Sequence, residues 1–530
     1  MTQKTNWFLL LILCFVQIGT TCDTSILSNC TAAMMSSFHA SLAEVQLANI
    51  IYPLMSGSFM ILGGVLGLKW GWKRLLFVGL VLMTLAEFLA GMSHSLSFFT
   101  FGARVLQGVG GSFAIPAALG LIIVCYQGSA RALAFSAIAA ANGIASASPI
   151  VGGWVTVHAN WQDNYLGLSC LFGILFFLLL TQHRVRTPAR PMKIDFPGLV
   201  LIVLSLSLFT YGLVKISSWG AFKPLNAPFT ILGLSPCPFF ILVSILLIWL
   251  FSVVEHRREA AKKAVILPPV FVKNPASKSG LYMNGIVFFT MGGLSFLTVT
   301  FLQVVVGYDP IKTGLVLLLF AAGVIIFSLG TPIVWPKASP RLVCRIGILL
   351  QALSCLVIGV GFEKTGINSI LLLGLFMGGS GVGLLSSQAN NVISTALPAD
   401  MAEISSGIQG ATRNIGNALG IAIIGLVLVM SLTTSAKQAV VQSHLLSQDV
   451  KQQVNLIKNV PFISNQALTT VLAQRGYADK VQNELIAINL KSRLVAARIT
   501  LLCAAILLLL CLFTTNGLPG KEKLVSRKSK

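Results

Sequence analysis

Long apolar runs alternate with short polar, glycine- or proline-bearing connections along the whole chain. A helix needs roughly 20 such residues to cross the hydrocarbon of a bilayer, at about 1.5 Å of rise per residue. Successive windows predict about fourteen crossing helices, over 7–31, 46–66, 74–92, 96–125, 133–157, 165–181, 194–216, 229–254, 281–305, 313–334, 342–361, 369–393, 405–432 and 494–513. The expected class is therefore an all-α polytopic membrane protein without a separate soluble domain. One connection differs: 433–493 is long and polar, with apolar residues at helical spacing in "NELIAINLKSRLVAARI", and is expected to be a helical hairpin on the outer side. Lys4 ahead of the first apolar run gives the start a signal-peptide look, but the apolar character resumes at Ile26 and Leu27, so a retained first span is expected.

Composition agrees with this reading, at 55% hydrophobic and only 10% charged residues. The net charge of +22 lies between the apolar runs and forms no aromatic-interleaved basic face, which argues against nucleic acid. Its distribution predicts topology instead. With the N-terminus inside, inner loops hold Lys69, Lys73 and Arg74, Arg131, Arg184 to Lys193, Arg257 to Lys278, and Lys337, Arg341 and Arg345. Short outer loops hold only Lys215, Lys223, Lys312 and Lys364. Both termini are expected in the cytoplasm, with the chain multi-pass in an inner or plasma membrane and monomeric. The 10 cysteines lie mostly within apolar runs and lack metal-ligand spacing, so no metal site is expected.

Four stretches carry chemistry. The first inner connection reads "GGVLGLKWGWKRLLFVG", the fourth span contains "RVLQGVGG", and the fifth contains "NGIASASPIVGGWV". With "CDTSIL" in the first span, they resemble the major facilitator superfamily, and in particular its fourteen-span drug:proton antiporter branch. Gly64, Leu66, Gly71 and Lys73, with Lys69 in an arginine place, match the family's loop motif. Arg104, Gln107, Gly108 and Gly110 match its fourth-span motif, Asp23 and Ile26 its first-span pattern, and Pro149, Gly152 and Gly153 the fifth-span bend. Leu68 stands where the loop motif carries an acid, Ser148 replaces the glycine before the proline, and Gln162 replaces an arginine.

The resemblance implies two six-helix bundles around a midplane site, plus two inserted helices: 1–190, then the insertion over 191–265, then 266–530 with the outer loop 433–493. It implies a secondary active transporter, with proton-coupled efflux of small amphipathic or cationic compounds as the leading expectation. Alternatives are a carrier of a specific metabolite or siderophore, and a receptor that keeps the fold without transporting. No phosphate-binding loop and no paired nucleophile and base stand out, so neither an enzyme nor a cofactor is expected. The expected partners are a small-molecule substrate, protons and the lipid bilayer.

An ionised group at bilayer depth costs roughly 2.5–3.5 kcal/mol on insertion scales, so each one retained needs a partner or a task. Proton coupling calls for a group that changes protonation in low dielectric, and carboxylates suit it. Two acids sit well within predicted spans, Asp23 and Glu87. Asp23 matches the branch pattern and is the expected coupling group. Glu87 is expected either at the lipid edge or as a second proton site. Arg104 is expected to pair across the bundle and to influence proton movement. Gln107, Asn142, Gln388, Asn391 and Arg413 are polar within apolar spans and are candidates for the substrate cavity, with helix-to-helix bonding as the alternative for each. The gating candidates are Gly64, Lys69, Gly71, Lys73, Arg74, Pro149, Gly152 and Gly153.

Overall fold

The computed structural model describes residues 6–127, 148–183, 195–224, 227–261, 273–335, 338–363, 366–396, 402–457, 460–474 and 477–520, with isolated positions between them. The described residues are overwhelmingly helical. In chain order the helices are α1 (Trp7–Asn29), the short α2 (Thr31–Ser37), α3 (Leu42–Trp70), α4 (Trp72–Gly91), α5 (Arg104–Cys125), α6 (Ser148–His158), α7 (Trp161–Leu180), α8 (Phe196–Trp219) and α9 (Cys237–Ala260). They continue as α10 (Pro275–Thr300), α11 (Pro310–Val334), α12 (Pro340–Gly361), α13 (Ser369–Ala396), α14 (Ala402–Gln442), α15 (Gln448–Leu456), α16 (Asn465–Gln474) and α17 (Asp479–Leu510). Two π-helical turns, Phe98–Ala103 and Phe301–Val306, adjoin α5 and α10.

Twelve helices among the described residues are long and apolar enough to cross a membrane, and α3, bent by 48° between Met60 and Leu62, makes a thirteenth. The sequence expectation of about fourteen thus differs at one place. The span over 133–157 is described as a continuous helix only over Ser148–His158, because most of its first half lies outside the described residues.

Helix starts follow from local chemistry. Asn274, Asp309 and Ser339 each cap a helix through a side-chain oxygen, and each is followed at once by a proline that needs no N–H partner. Ser41 and Glu44 close a reciprocal capping box at α3: the Ser41 N–H donates to Glu44 Oε2 (2.8 Å) and the Glu44 N–H to Ser41 Oγ (3.4 Å). Between α3 and α4 there is only Gly71, at φ 91° and ψ 137°, where an added Cβ would lie 2.7 Å from Thr187 Oγ1. Gly71→Ala should therefore cost about 1–3 kcal/mol, read as a lower thermal unfolding midpoint in detergent. An unchanged midpoint would show that this turn relaxes freely.

Helices α1, α3 to α5 and α7 pack around one apolar core, with α6 against α1 and α7, and α10 to α14 with α17 pack around a second, to which α3 adds Leu47, Ile50 and Leu54. The groups meet where α3 lies along α14 and α6 along α11. Gln46 Nε2 donates across this seam to the Ile421 carbonyl (2.7 Å), Asn414 Nδ2 donates to Ser56 Oγ (3.0 Å), and Gly153 lies against Pro310 and Ile311. The Gln46 and Gly153 contacts sit at the end remote from the Lys69–Arg74 connection, whereas Gly64, nearer that connection, has open space beside its Cα. Helices α8 and α9 pair with each other, and α8 leans on α3 and α14. Most of α9 is uncovered, with Leu242, Ile245, Leu246 and Trp249 exposed, as lipid contact requires.

The connection over 433–493 extends α14 and α17 beyond their apolar stretches and inserts α15 and α16 between them. Val440, Leu446, Val450 and Ile488 form a small core of its own. Arg493 is buried and ties the connection down: Nη1 donates to the carbonyls of Val304 (3.0 Å) and Ile463 (2.8 Å), and Nη2 to Asn465 Oδ1. Nothing in the sequence marks Arg493 as more than a loop base.

Candidate functional site

Two features define the site: a buried polar chain inside the first helix group and a cavity between the groups. Both are built on α1. In a helix, residues three and four apart share a face, while two residues make about 200° of rotation. Thr21, Thr24 and Ser25 accordingly line the cavity. Asp23, between them in sequence, points the other way and is fully buried.

There Asp23 meets Arg104, which the glycines of "RVLQGVGG" bring within reach. A Cβ on Gly108 would lie 2.9 Å from the Tyr52 carbonyl, so α5 can approach α3 this closely only without a side chain at that position. Arg104 Nη1 donates to Asp23 Oδ1 (2.6 Å) and to Gln107 Oε1 (2.8 Å), and Nε donates to the Ala48 carbonyl (3.4 Å). Its guanidinium stacks over Tyr52, 4.8 Å from the ring centroid. Gln107 passes the chain on, its Nε2 donating to Glu87 Oε2 at 2.7 Å. Asp23, Arg104, Gln107 and Glu87 are all at 0% exposure. Asp23 Oδ2, Glu87 Oε1 and Arg104 Nη2 have no hydrogen-bond partner among the described residues.

Two carboxyl groups thus share one guanidinium through a neutral amide bridge. Glu87 belongs to the interior and not to the lipid edge; on the same helix Leu85 and Phe88 take the outward positions, at 51% and 49% exposure. With both carboxyls ionised the cluster carries a net negative charge in low dielectric; one proton makes it neutral. An uncompensated buried charge costs several kcal/mol, so the composition of the chain favours one bound proton.

The cavity has a volume of about 190 Å³. Opposite the α1 hydroxyls it presents Phe288 and Met291 of α10, Phe320 of α11 and the polar edge of α14: Arg413, Asn414 and Asn417. Arg413 lies over the Phe288 ring, 4.4 Å from its centroid. The sequence reading missed the α1 hydroxyls and the apolar wall. The signal for the first was "TTCDTS", a hydroxyl-rich patch in an otherwise apolar helix.

The other candidates fall in different places. Gln107 is in the buried chain and not on the cavity wall. Gln388, on α13, is half-buried, with Nε2 3.4 Å from Ser387 Oγ, and does not line the cavity. Asn142 and the side chain of Asn391 lie outside the described residues. Of the gating candidates, Lys73 donates from Nζ to the Gln182 carbonyl just past α7 (2.7 Å), a base meeting a helix C-terminus. Lys69 and Arg74 are exposed, and Leu68, in the acid's place, is buried in the first core. Pro149 lies on α6, where Gly152 packs against Ile26.

Comparison with known proteins agrees with the architecture. The chain is 27% identical over 417 residues to the tetracenomycin C resistance and export protein of Streptomyces glaucescens, covering 77% of this chain and 73% of that one. It is 26% identical over 484 residues to the methyl viologen resistance protein SmvA of Salmonella typhimurium, covering 87% and 91%. Among solved structures, a bacterial homolog of the human lysosomal transporter Spinster, in an inward-facing and occupied conformation, superposes with a TM-score of 0.60 at 12% identity, covering 97% and 98% of the two chains. The family model described as Major Facilitator Superfamily matches residues 13–421. A polytopic helical protein with a cavity between two helix groups and this family match is a transporter and not an enzyme: the chain belongs to the Major Facilitator Superfamily.

Proposed function

We propose that this transporter exports small amphipathic compounds in exchange for protons, with the buried chain Asp23–Arg104–Gln107–Glu87 as the proton site and the cavity between the helix groups as the substrate site. The observation that carries the reading is the pairing of two buried carboxyl groups with a single buried guanidinium. In the resting state Asp23 is the ionised partner, since it touches Arg104 directly, and Glu87 holds the proton. The substrate does not touch these groups. It presses on the hydroxyl face of α1, and the opposite face of that helix carries Asp23. Substrate and proton therefore communicate as a ligand shifts any two-state equilibrium, by differential affinity for the two arrangements of the helix groups.

Export is supported by the resistance and export functions named for the similar proteins. The excess of bases on the Lys69–Arg74 side supports a cytoplasmic position for that side and for both termini, in the cytoplasmic membrane. The helix groups over 1–190 and 266–530 then act as the rocking units and 191–265 as the insertion. The test is retention of 1-naphthalenesulfonate and (1-naphthyl)trimethylammonium by energised cells expressing the protein. The account expects retention of at least one probe to fall below that of control cells and to return to control on addition of a protonophore. Export unaffected by the protonophore would remove proton coupling.

A further inference from the structure

The charge on the cavity wall carries one step more, resting on the reading of this cavity as the substrate site. Arg413 is its only ionisable lining side chain among the described residues, and no aspartate or glutamate lines it. Arg413 also forms no hydrogen bond and no ion pair among the described residues; its close contact is the face of Phe288. This sets it apart from the other arginines of the apolar region. Arg104 is neutralised by Asp23, Arg493 is held by two carbonyls and an amide, and Arg498 caps α12 through the carbonyls of Gly359 (3.0 Å) and Phe362 (3.1 Å).

We infer that Arg413 is the anchor for an anionic substrate, and that the transported class is amphipathic organic anions: aromatic or polycyclic carboxylates, sulfonates or phenolates. A guanidinium offers several donors in a planar fork that matches the two oxygens of a carboxylate or sulfonate. Arg413 lies over the Phe288 ring and both line the cavity, so its donors are not spent on a protein partner among the described residues. Phe320 and Met291 supply an apolar wall for the ring system. Asn414 and Asn417, one and four residues on, add amide groups beside the anion. The same positive field disfavours an organic cation, for which the wall provides no counter-charge. The reading from sequence, which allowed cationic compounds, thus narrows to the opposite sign.

The test uses the purified full chain in proteoliposomes with no pH gradient, so that exchange does not depend on coupling. Three probes share the naphthalene ring and differ in the head group and its charge: 1-naphthalenesulfonate, the neutral 1-naphthalenesulfonamide and (1-naphthyl)trimethylammonium. Saturable exchange of the sulfonate by the wild type is expected, well above that of the trimethylammonium probe. Arg413→Gln should lower sulfonate exchange by about ten- to a hundredfold, the range for losing a hydrogen bond to a charged group. Arg413→Lys should keep a substantial part of it. Thermal stabilisation by each probe is measured on the same samples, which separates binding from transport and detects a misfolded variant. Exchange of the cation in preference to the sulfonate, or Arg413→Gln protein of normal stability exchanging the sulfonate like wild type, would overturn the anion assignment and leave the transport reading standing. Stabilisation by the sulfonate, lost in Arg413→Gln, without exchange of any probe would uphold the anion site and sink the transport reading.

Discussion

Asp23→Asn protein is expected to lose about 3–5 kcal/mol of stability, the usual consequence of removing one partner of a buried ion pair. The cost arises because Arg104, at 0% exposure, keeps its charge but loses its direct carboxylate: it is left with Gln107, a backbone carbonyl and the Tyr52 face, and the Glu87 carboxyl reaches it only through the Gln107 amide. Removing the charge as well should recover most of the loss, so Asp23→Asn combined with Arg104→Gln is expected to be more stable than Asp23→Asn alone. A double-mutant cycle of thermal unfolding in detergent reads this directly. If Asp23→Asn alone is as stable as wild type, the pair at 2.6 Å is not an energetic unit and the account of Arg104 fails.

Glu87→Gln should behave in the opposite way. The substitution keeps shape and keeps an oxygen to accept from Gln107 Nε2, so stability should change by less than about 1 kcal/mol. Function should change completely. With the carboxyl gone the chain holds one acid and one base, neutral without a transferable proton. Exchange of a probe down its own gradient should persist, while accumulation driven by a pH gradient across proteoliposomes should vanish. Full gradient-driven accumulation by Glu87→Gln protein would remove Glu87 from the coupling.

Asp23 and Arg104 were each legible in the sequence as candidates, because each is an ionised group in an apolar run and each occupies a motif position, but that they pair with one another is seen only in the structure. The inward orientation of Glu87 was not. In a soluble helix, polar and apolar faces reveal which side is buried, but lipid and protein interior are about equally apolar. In "MTLAEFLAG" the lipid-facing Leu85 and Phe88 and the core-facing Met83 and Ala86 therefore look alike. The same ambiguity hid the cavity wall: Phe288 and Phe320 read as any other span residues, and only the meeting of α1 with α10, α11 and α14 makes them a site. Glycines were more informative. Gly71 marked the one-residue turn and Gly108 the close approach of α5 to α3, since each position excludes a side chain for a local geometric reason. The clamp formed by Arg493 escaped notice because its acceptors are backbone carbonyls far along the chain.

The central claim is that the buried chain holds one proton and that Glu87 carries it. Infrared spectroscopy of the purified protein near neutral pH tests this without any substrate, because a protonated carboxyl group has a carbonyl stretch well separated from that of a carboxylate. The account predicts a protonated-carboxyl band in the wild type that disappears in Glu87→Gln. A wild type with no such band, or a band that survives Glu87→Gln and is lost in Asp23→Asn, would contradict it.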